Sequence, residues 1–399
     1  MTTSPNDPPP AEAPSDLQSM FGAIEQALAD DQWAAAQAAA AALLARVPEH
    51  PQVLALRGLA EMQEGRFTAA RKTLERTLQL DATLEPARIN LDELAKREAQ
   101  VLEQDYVKEY LANRAVFMDL PRALGIETVG RCNATCGFCP HSELERNRLE
   151  MPEELFEKIL SDLAEFPRDW PLRVYPNMVN EPFMDKRIFE RLAGIQDVLP
   201  NAVITAFTNF NVLPKGWKKK ITGVRNLNVN VSFNAAEAEE YKAVMGIDFE
   251  RTVKNLRDLM ALNRETGLLK QPIVLSRVMD GTERDAKYRH DCKRAFEGFE
   301  EDRDYMVHVK PRTNWLGATE DDPSPVPYFY PCGAWYDMNI MCTGQVPLCC
   351  IDSKGDWAVG DVNEQSILEI YNGPKFRGLR ATVDRREDAD PCDKCSLVQ

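Results

Sequence analysis

The sequence predicts an α/β protein built on a parallel sheet, with an α-helical repeat region before it and a small cysteine-rich domain after it. Three observations carry this. A helical periodicity with a 34-residue recurrence runs through residues 16–100, and strand-like and helix-like stretches alternate six times between 125 and about 315. Six of the ten cysteines lie beyond residue 328. The expected domains are 1–15, 16–118, 119–320 and 321–399.

Residues 1–15, MTTSPNDPPPAEAPS, are proline-rich and nearly free of large apolar side chains, so disorder is expected there. Residues 16–100 are rich in Ala, Leu, Glu and Gln. Trp33 and Phe67, Ala36 and Ala70, and Leu44 and Leu78 are each 34 residues apart. Small alanines let paired helices approach, and the aromatic fills the space between them. The stretch LRGLAEMQEGRFTAA, with Gly58 and Gly65, resembles a tetratricopeptide unit. That resemblance implies a docking surface for a protein partner or peptide; the alternative is a helical cap. Residues 85–118 continue as helix toward the core.

At 399 residues the chain is long enough for two or three domains with ample core. The net charge of −15 disfavours nucleic acid, and the one basic run, Lys215 to Lys220, reads as a solvated loop. No signal peptide is expected. The longest apolar stretch, Trp33 to Val47, is mostly alanine and is broken by Gln37 and Arg46, so no membrane span is expected. A cytoplasmic location follows, in which ten cysteines serve as metal ligands and free thiols rather than disulfides.

Candidate strands are 125–130, 172–178, 202–208, 227–233, 272–278 and 305–311. Helical stretches separate them, among them 152–166, where Pro152 suits a first turn. Six βα units in series imply a parallel sheet, whose chemistry gathers at the C-terminal ends of the strands. The loop after the first strand reads GRCNATCGFCP, with Cys132, Cys136 and Cys139 spaced C-x3-C-x2-C. Three thiols this close suit a soft metal centre. A structural zinc site would require a fourth ligand, and the next cysteine is the distant Cys292, read as a free thiol. Three ligands on a [4Fe–4S] cube leave one iron open for a substrate.

This motif, with Phe138 before the third cysteine, resembles the radical S-adenosylmethionine (radical SAM) family. The resemblance implies a partial (βα)6 TIM-like barrel and a [4Fe–4S] cluster on Cys132, Cys136 and Cys139 with SAM at its open iron. It also implies reductive cleavage of SAM to a 5′-deoxyadenosyl radical that abstracts hydrogen from substrate. The other strand ends follow the same resemblance. Asn180, Glu181 and Pro182 stand where the family has GGEP, without its glycines, and Asn209 and Phe210 stand where it has TNG. Ser232 and Asn234 are candidates for the SAM ribose or carboxylate, or a capping pair. Arg277 is a candidate partner of the SAM carboxylate, or an ordinary salt bridge. Phe138 joins the cofactor contacts. Arg277, Lys310, Arg312 and Asn314 are the candidates for substrate contact and catalysis.

Beyond 328, MNIMCTGQVPLCCID reads as two short strands joined at Thr343-Gly344-Gln345, followed by a helical insert over 366–380. The pattern Cys332-x11-Gly344-x4-Cys349, then Cys392-x2-Cys395, resembles the SPASM/twitch extension of radical SAM enzymes. It implies one auxiliary [4Fe–4S] cluster on Cys332, Cys349, Cys392 and Cys395. Cys349 and Cys350 are adjacent and point to opposite faces of a strand, and the parts of Cys350 and Cys342 stay open. The expected function is a radical SAM oxidoreductase of the dehydrogenase type, acting on a small metabolite such as a sugar or aminocyclitol and reduced by a flavodoxin or ferredoxin. The alternatives are a maturase whose helical repeats bind a precursor peptide, a redox-neutral epimerase, and a non-enzymatic zinc scaffold.

Overall fold

The computed structural model describes residues 14–319 and 329–397. Among them the chain divides between Glu109 and Tyr110 into two compact units, with Phe329 and Tyr330 also in the first; the expected boundaries were near 118 and at 320/321, the latter outside the described residues. The expected disorder over 1–15 lies outside the described residues, except that Pro14 and Ser15 open the first helix.

The N-terminal unit contains α1 (Pro14–Ala29), α2 (Trp33–Arg46), α3 (Pro51–Gln63), α4 (Phe67–Leu80) and α5 (Glu85–Leu102); α6 (Asp105–Val116) leads into the second unit. The 34-residue recurrence is present in the backbone. Asp31 and Gly65 both take left-handed conformations, φ 56° and 81°. Gln32 and Arg66 then cap α2 and α4 with near-identical dihedrals. Their amides reach back to Ala27 O at 2.8 Å and Glu61 O at 2.9 Å. Ala36 and Ala70 are fully buried, and Leu44 and Leu78 partly so. Gly58 brings α3 onto α4: a Cβ there would lie 2.7 Å from the Leu74 side chain.

The second unit is a seven-stranded parallel sheet with order β6-β5-β4-β3-β2-β1-β7. Its elements are β1 (Ala123–Ile126), α7 (Glu153–Leu163), β2 (Arg173–Tyr175), α8 (Ile188–Val198), β3 (Val203–Thr208), α9 (Trp217–Ile221), β4 (Leu227–Ser232), α10 (Ala238–Met245), α11 (Phe249–Thr266), β5 (Ile273–Val278), α12 (Glu283–Ala295), β6 (Tyr305–Lys310) and β7 (Asp337–Ile340). The six expected strands are all present, and the seventh comes from the cysteine-rich segment. One apolar core joins β-strand residues such as Leu124, Val174, Ile204 and Val229 to Ile159, Leu192 and Leu256 of the helices. Cys292 of α12 is fully buried in it.

β7 was expected to pair with its neighbour as a hairpin. Instead it adds to β1 in parallel, Ala123 opposite Asp337 and Ile126 opposite Ile340. Arg122 fixes this register, with Nε and Nη2 donating to the two Asp337 carboxylate oxygens at 2.9 and 2.8 Å. The turn at Gly344 remains, but β8 (Gln345–Val346) pairs antiparallel with β9 (Gly360–Asp361). The helical insert is two helices, α13 (Ile367–Tyr371) and α14 (Pro374–Thr382). All strands being parallel, the loops after β1 to β6 open on one edge of the sheet.

The close approach at Gly58 makes a prediction. Gly58→Val should destabilise the full-length protein by roughly 1–3 kcal/mol through overpacking. Gly22→Ala, at a position in α1 with open space around it, should stabilise by about 0.5–1 kcal/mol. Urea titrations followed by far-UV circular dichroism check both signs.

Candidate active site and cluster sites

At the C-terminal edge of the sheet lies a cavity of about 300 Å³. Cys132, Cys136 and Cys139 line it from the β1 loop, together with Phe138. Small residues let that loop fold back tightly. Gly130 packs against the Arg146 carbonyl so closely that a Cβ would collide with it, and Gly130 O accepts from His141 Nε2 at 2.8 Å. Asn133 pins the loop to the β3 exit, accepting from Asn209 Nδ2 at 2.9 Å and donating to Asn211 Oδ1 at 3.2 Å. Burial first, and the neighbouring Cys139 second, push the Cys136 thiol up to about 12. Burial raises Cys132 and Cys139 as well. A thiolate here therefore requires a bound cation, and iron supplies it. Among the described residues no three His, Cys, Asp or Glu side chains converge as they would on a single metal ion. In an iron–sulfur cube each cysteine takes a different iron, so a wider set of thiols around a cavity fits that group.

From the β2 exit, Asn180 and Glu181 line the cavity, whereas Pro182 opens a buried 3₁₀ turn and does not. Glu181 is 1% exposed. It accepts from Thr208 Oγ1 and Asn209 N at 2.6 Å and from Phe183 N at 3.1 Å, so the β3 exit holds it in place. Burial outweighs these donors and raises its carboxyl to about 7. Phe210, in the place of the family's glycine, adopts φ 53°. That strain costs about 1–2 kcal/mol. Edge-to-face contacts with Phe183 at 5.6 Å and Trp217 at 5.4 Å offset it.

Asn209, Ser232, Asn234, Lys310 and Arg312 also line the cavity. Besides Pro182, two expected residues do not. Arg277 is 2% exposed and its guanidinium is fully engaged. It donates to Asp285 and Asp280 at 2.8 Å, to Glu240 at 2.9 Å and to Asn234 O. It ties β5 to the β4 exit and α12; four of its five N–H donors are used there, three of them on carboxylates, and it does not line the cavity. Asn314 donates to Lys394 O at 2.7 Å and accepts from Ser396 N at 3.3 Å, anchoring the C-terminal segment. The sequence reading missed Asn177, Met245, Thr313, Trp315, Ile351 and Leu397, which also line the cavity. Only Asn177, polar at a strand exit, carried a local signal. Met245 lies far along the chain from the cysteines, yet its sulfur is 3.4 Å from Cys136 Sγ.

Cys332, Cys349, Cys392 and Cys395 line a second, smaller cavity with Trp335, Arg386, Ile351 and Leu397. Trp335 Nε1 donates to Cys392 Sγ at 3.4 Å. Burial and the neighbouring cysteines raise Cys349, and burial and Cys332 raise Cys392 to about 12. Four thiols, three on buried residues and one on the partly buried Cys349, suit a fully ligated cluster. Cys350 is exposed and Cys342 is buried beside Glu127, and neither lines this cavity.

Residues 332–396 match the SPASM family, described as an iron–sulfur cluster-binding domain. Over 280 residues the chain is 21% identical to the S-adenosyl-L-methionine-dependent 2-deoxy-scyllo-inosamine dehydrogenase of Niallia circulans, covering 68% of this chain and 92% of that protein. SuiB of Streptococcus suis bound to the precursor peptide SuiA superposes with a TM-score of 0.52 at 15% identity, covering 87% of this chain and 86% of the other. BtrN in complex with AdoMet and 2-DOIA superposes with a TM-score of 0.46 at 18% identity, covering 70% and 94%. The SPASM match over the C-terminal cysteines and the SAM-dependent relative over most of the chain define the class. The protein is a radical SAM enzyme with a C-terminal SPASM domain. Its cofactors are S-adenosylmethionine and [4Fe–4S] clusters, one of them auxiliary. The SPASM match sets the zinc scaffold aside. No described helix is long and apolar enough to cross a membrane.

The two cavities predict separable iron sites. Replacing Cys332, Cys349, Cys392 and Cys395 with Ala should remove about half the iron, roughly four of eight atoms. Replacing Cys132, Cys136 and Cys139 should remove the other half and abolish 5′-deoxyadenosine release. Iron analysis and chromatography of the reaction read both.

Proposed function

We propose that the protein is a radical SAM dehydrogenase that oxidises a small hydroxylated metabolite such as a sugar or aminocyclitol. The observation that carries this is the four-cysteine cavity, which leaves no ligand position open for substrate and shares Ile351 and Leu397 with the larger cavity. The Niallia circulans relative, a dehydrogenase by name, supports the same reading. When bound, SAM on the first cluster supplies a 5′-deoxyadenosyl radical for hydrogen abstraction, and the auxiliary cluster supplies a sink for one electron.

The chain's own residues then have these roles. Cys132, Cys136 and Cys139 hold the first cluster, and Cys332, Cys349, Cys392 and Cys395 the second. Glu181 and Asn180 accept and orient the SAM amino group, with Asn209, Ser232 and Asn234 along its ribose and carboxylate. Phe138 and Met245 line the cavity beside the thiols and make that side of it apolar. The electron source is a flavodoxin or ferredoxin. A second reading, a peptide maturase, is favoured by the N-terminal helical repeat, whose α1–α5 recurrence suits a docking unit.

Anaerobic incubation with SAM, dithionite and a panel of sugars and aminocyclitols should yield 5′-deoxyadenosine and a carbonyl product. A redox-neutral epimer would overturn the dehydrogenase reading, and turnover of a precursor peptide alone would favour the maturase. The Glu181 carboxyl makes a separate prediction. It gains its charge only as pH rises through about 7. The charged form is the better acceptor for an amino group, so SAM affinity of the cluster-loaded protein should rise through that range. Glu181→Gln should flatten the dependence, as measured by equilibrium dialysis.

A further inference from the structure

The wall of the larger cavity formed by the β6 exit has no explained role. β6 ends at Lys310, and Lys310, Arg312 and Thr313 all line the cavity. The Lys310 ammonium makes no ion pair or hydrogen bond with any described residue; burial lowers its pKa, against a smaller opposing effect of the nearby Cys350 thiol. Thr313 Oγ1 is buried with no hydrogen-bond partner among the described residues. The Arg312 guanidinium lies 5.9 Å over the Phe138 ring, adding a second cation to the same wall. Among the described residues Glu181 is the one carboxylate lining the cavity; Oε1 accepts from Thr208 and Phe183 and Oε2 from Asn209, and the capacity left on Oε2 is the one assigned above to the SAM amino group. An unpaired ammonium and an orphaned hydroxyl on a cavity wall are costly unless a ligand completes them.

We propose that Lys310 and Thr313 form an anion subsite that holds a carboxylate or phosphate group of the substrate. The inference rests on the reading of this cavity as the SAM and substrate site. The position favours substrate over the carboxylate of SAM. The cavity there runs into Ile351 and Leu397, which also line the four-cysteine cavity. The subsite therefore lies toward the auxiliary site, where a substrate must sit to lose an electron to it. A substrate bearing an ammonium group would instead face Lys310 and Arg312 at unfavourable Coulomb energy. The inosamine in the name of the relative carries such a group, so this chain selects a different, anionic, member of the hydroxylated class.

The test uses the full-length, cluster-reconstituted protein with SAM, titrated anaerobically with glucuronate, glucose 6-phosphate, glucose and glucosamine. Binding of each probe is read by equilibrium dialysis. At least one anionic probe should bind more tightly than glucose, and glucosamine most weakly; which anion leads separates carboxylate from phosphate. Lys310→Met should cost that anion about 10- to 100-fold in affinity, and Lys310→Arg should restore most of it. Iron content and far-UV circular dichroism report folding, and Lys310→Gln replaces Lys310→Met if the latter loses iron. Absence of anion preference in the wild type, including no binding of any probe, overturns the proposal. So does a loss of SAM affinity in Lys310→Met as large as the loss for the anion, which would assign Lys310 to SAM. SAM cleavage by the wild type with dithionite is scored separately, so a failed cofactor reading is distinguishable from a failed anion subsite.

Discussion

The buried ion pair of Glu127 and Arg146 is the constraint on which both cluster sites depend. Glu127 follows β1 and is fully buried; Arg146 closes the cysteine loop and is 6% exposed. Arg146 Nε donates to Glu127 Oε2 at 2.6 Å, and Nη2 to Oε1 at 3.3 Å. The remaining capacity of the pair reaches three other segments. Glu127 accepts from Val179 N, just before Asn180 and Glu181, and from Cys342 N in the SPASM domain. Arg146 Nη1 donates to Ser353 O at 2.5 Å. Such a pair adds little net stability, but removing one partner leaves a buried charge at a cost of about 3–5 kcal/mol. Its effect is geometric. The loop carrying Cys132 to Cys139, the β2 exit and the segment following Cys342 are held to one another through two side chains.

That junction explains why the SPASM domain is not a separate body. β7 continues the sheet beside β1, and Arg122 with Asp337 fixes its register. Asn314 ties the β6 exit to Ser396, and Ile351 and Leu397 are common to both cavities. The three-cysteine and four-cysteine sites are thus two ends of one continuous structure, which suits a substrate that gives up a hydrogen atom at one end and an electron at the other. The family's glycines are dispensable here for a local reason. Glu181 is held by donors from β3, and Phe210 accepts the left-handed conformation because aromatic packing offsets it.

Much of the fold was legible from the sequence. The strands recur as apolar runs between amphipathic helices, and the 34-residue spacing survives in the backbone as matched left-handed turns at Asp31 and Gly65. The cysteines were legible because ligand spacing is a local property: seven thiols fall into a three and a four around two cavities. Cys349 was preferred over Cys350 from its spacing to Gly344; the strand expected to carry both ends at Val346, and the two cysteines lie in a bend and a turn beyond it.

What the sequence could not determine concerns partners distant in the chain. Arg277 looked like a ligand for a carboxylate, but Asp280, Asp285 and Glu240 surround it, and only folding reveals how many acceptors one guanidinium meets. Asn314 looked like a substrate contact and serves as a clasp for the C-terminus. Met245, Ile351 and Leu397 carry no polar signal and enter the cavity only by packing. Around Gly344 the turn stays closed by Met341 N donating to Gln345 O at 2.9 Å, but β7 pairs with β1 and β8 with β9, partners far away in sequence. The sequence by itself determined the elements, their order and the cysteine sets, since periodicity, turn chemistry and ligand spacing act over a few residues. The tertiary structure alone decided which polar groups were already satisfied and which, like Lys310, were left facing the cavity, since that depends on contacts between residues far apart in sequence.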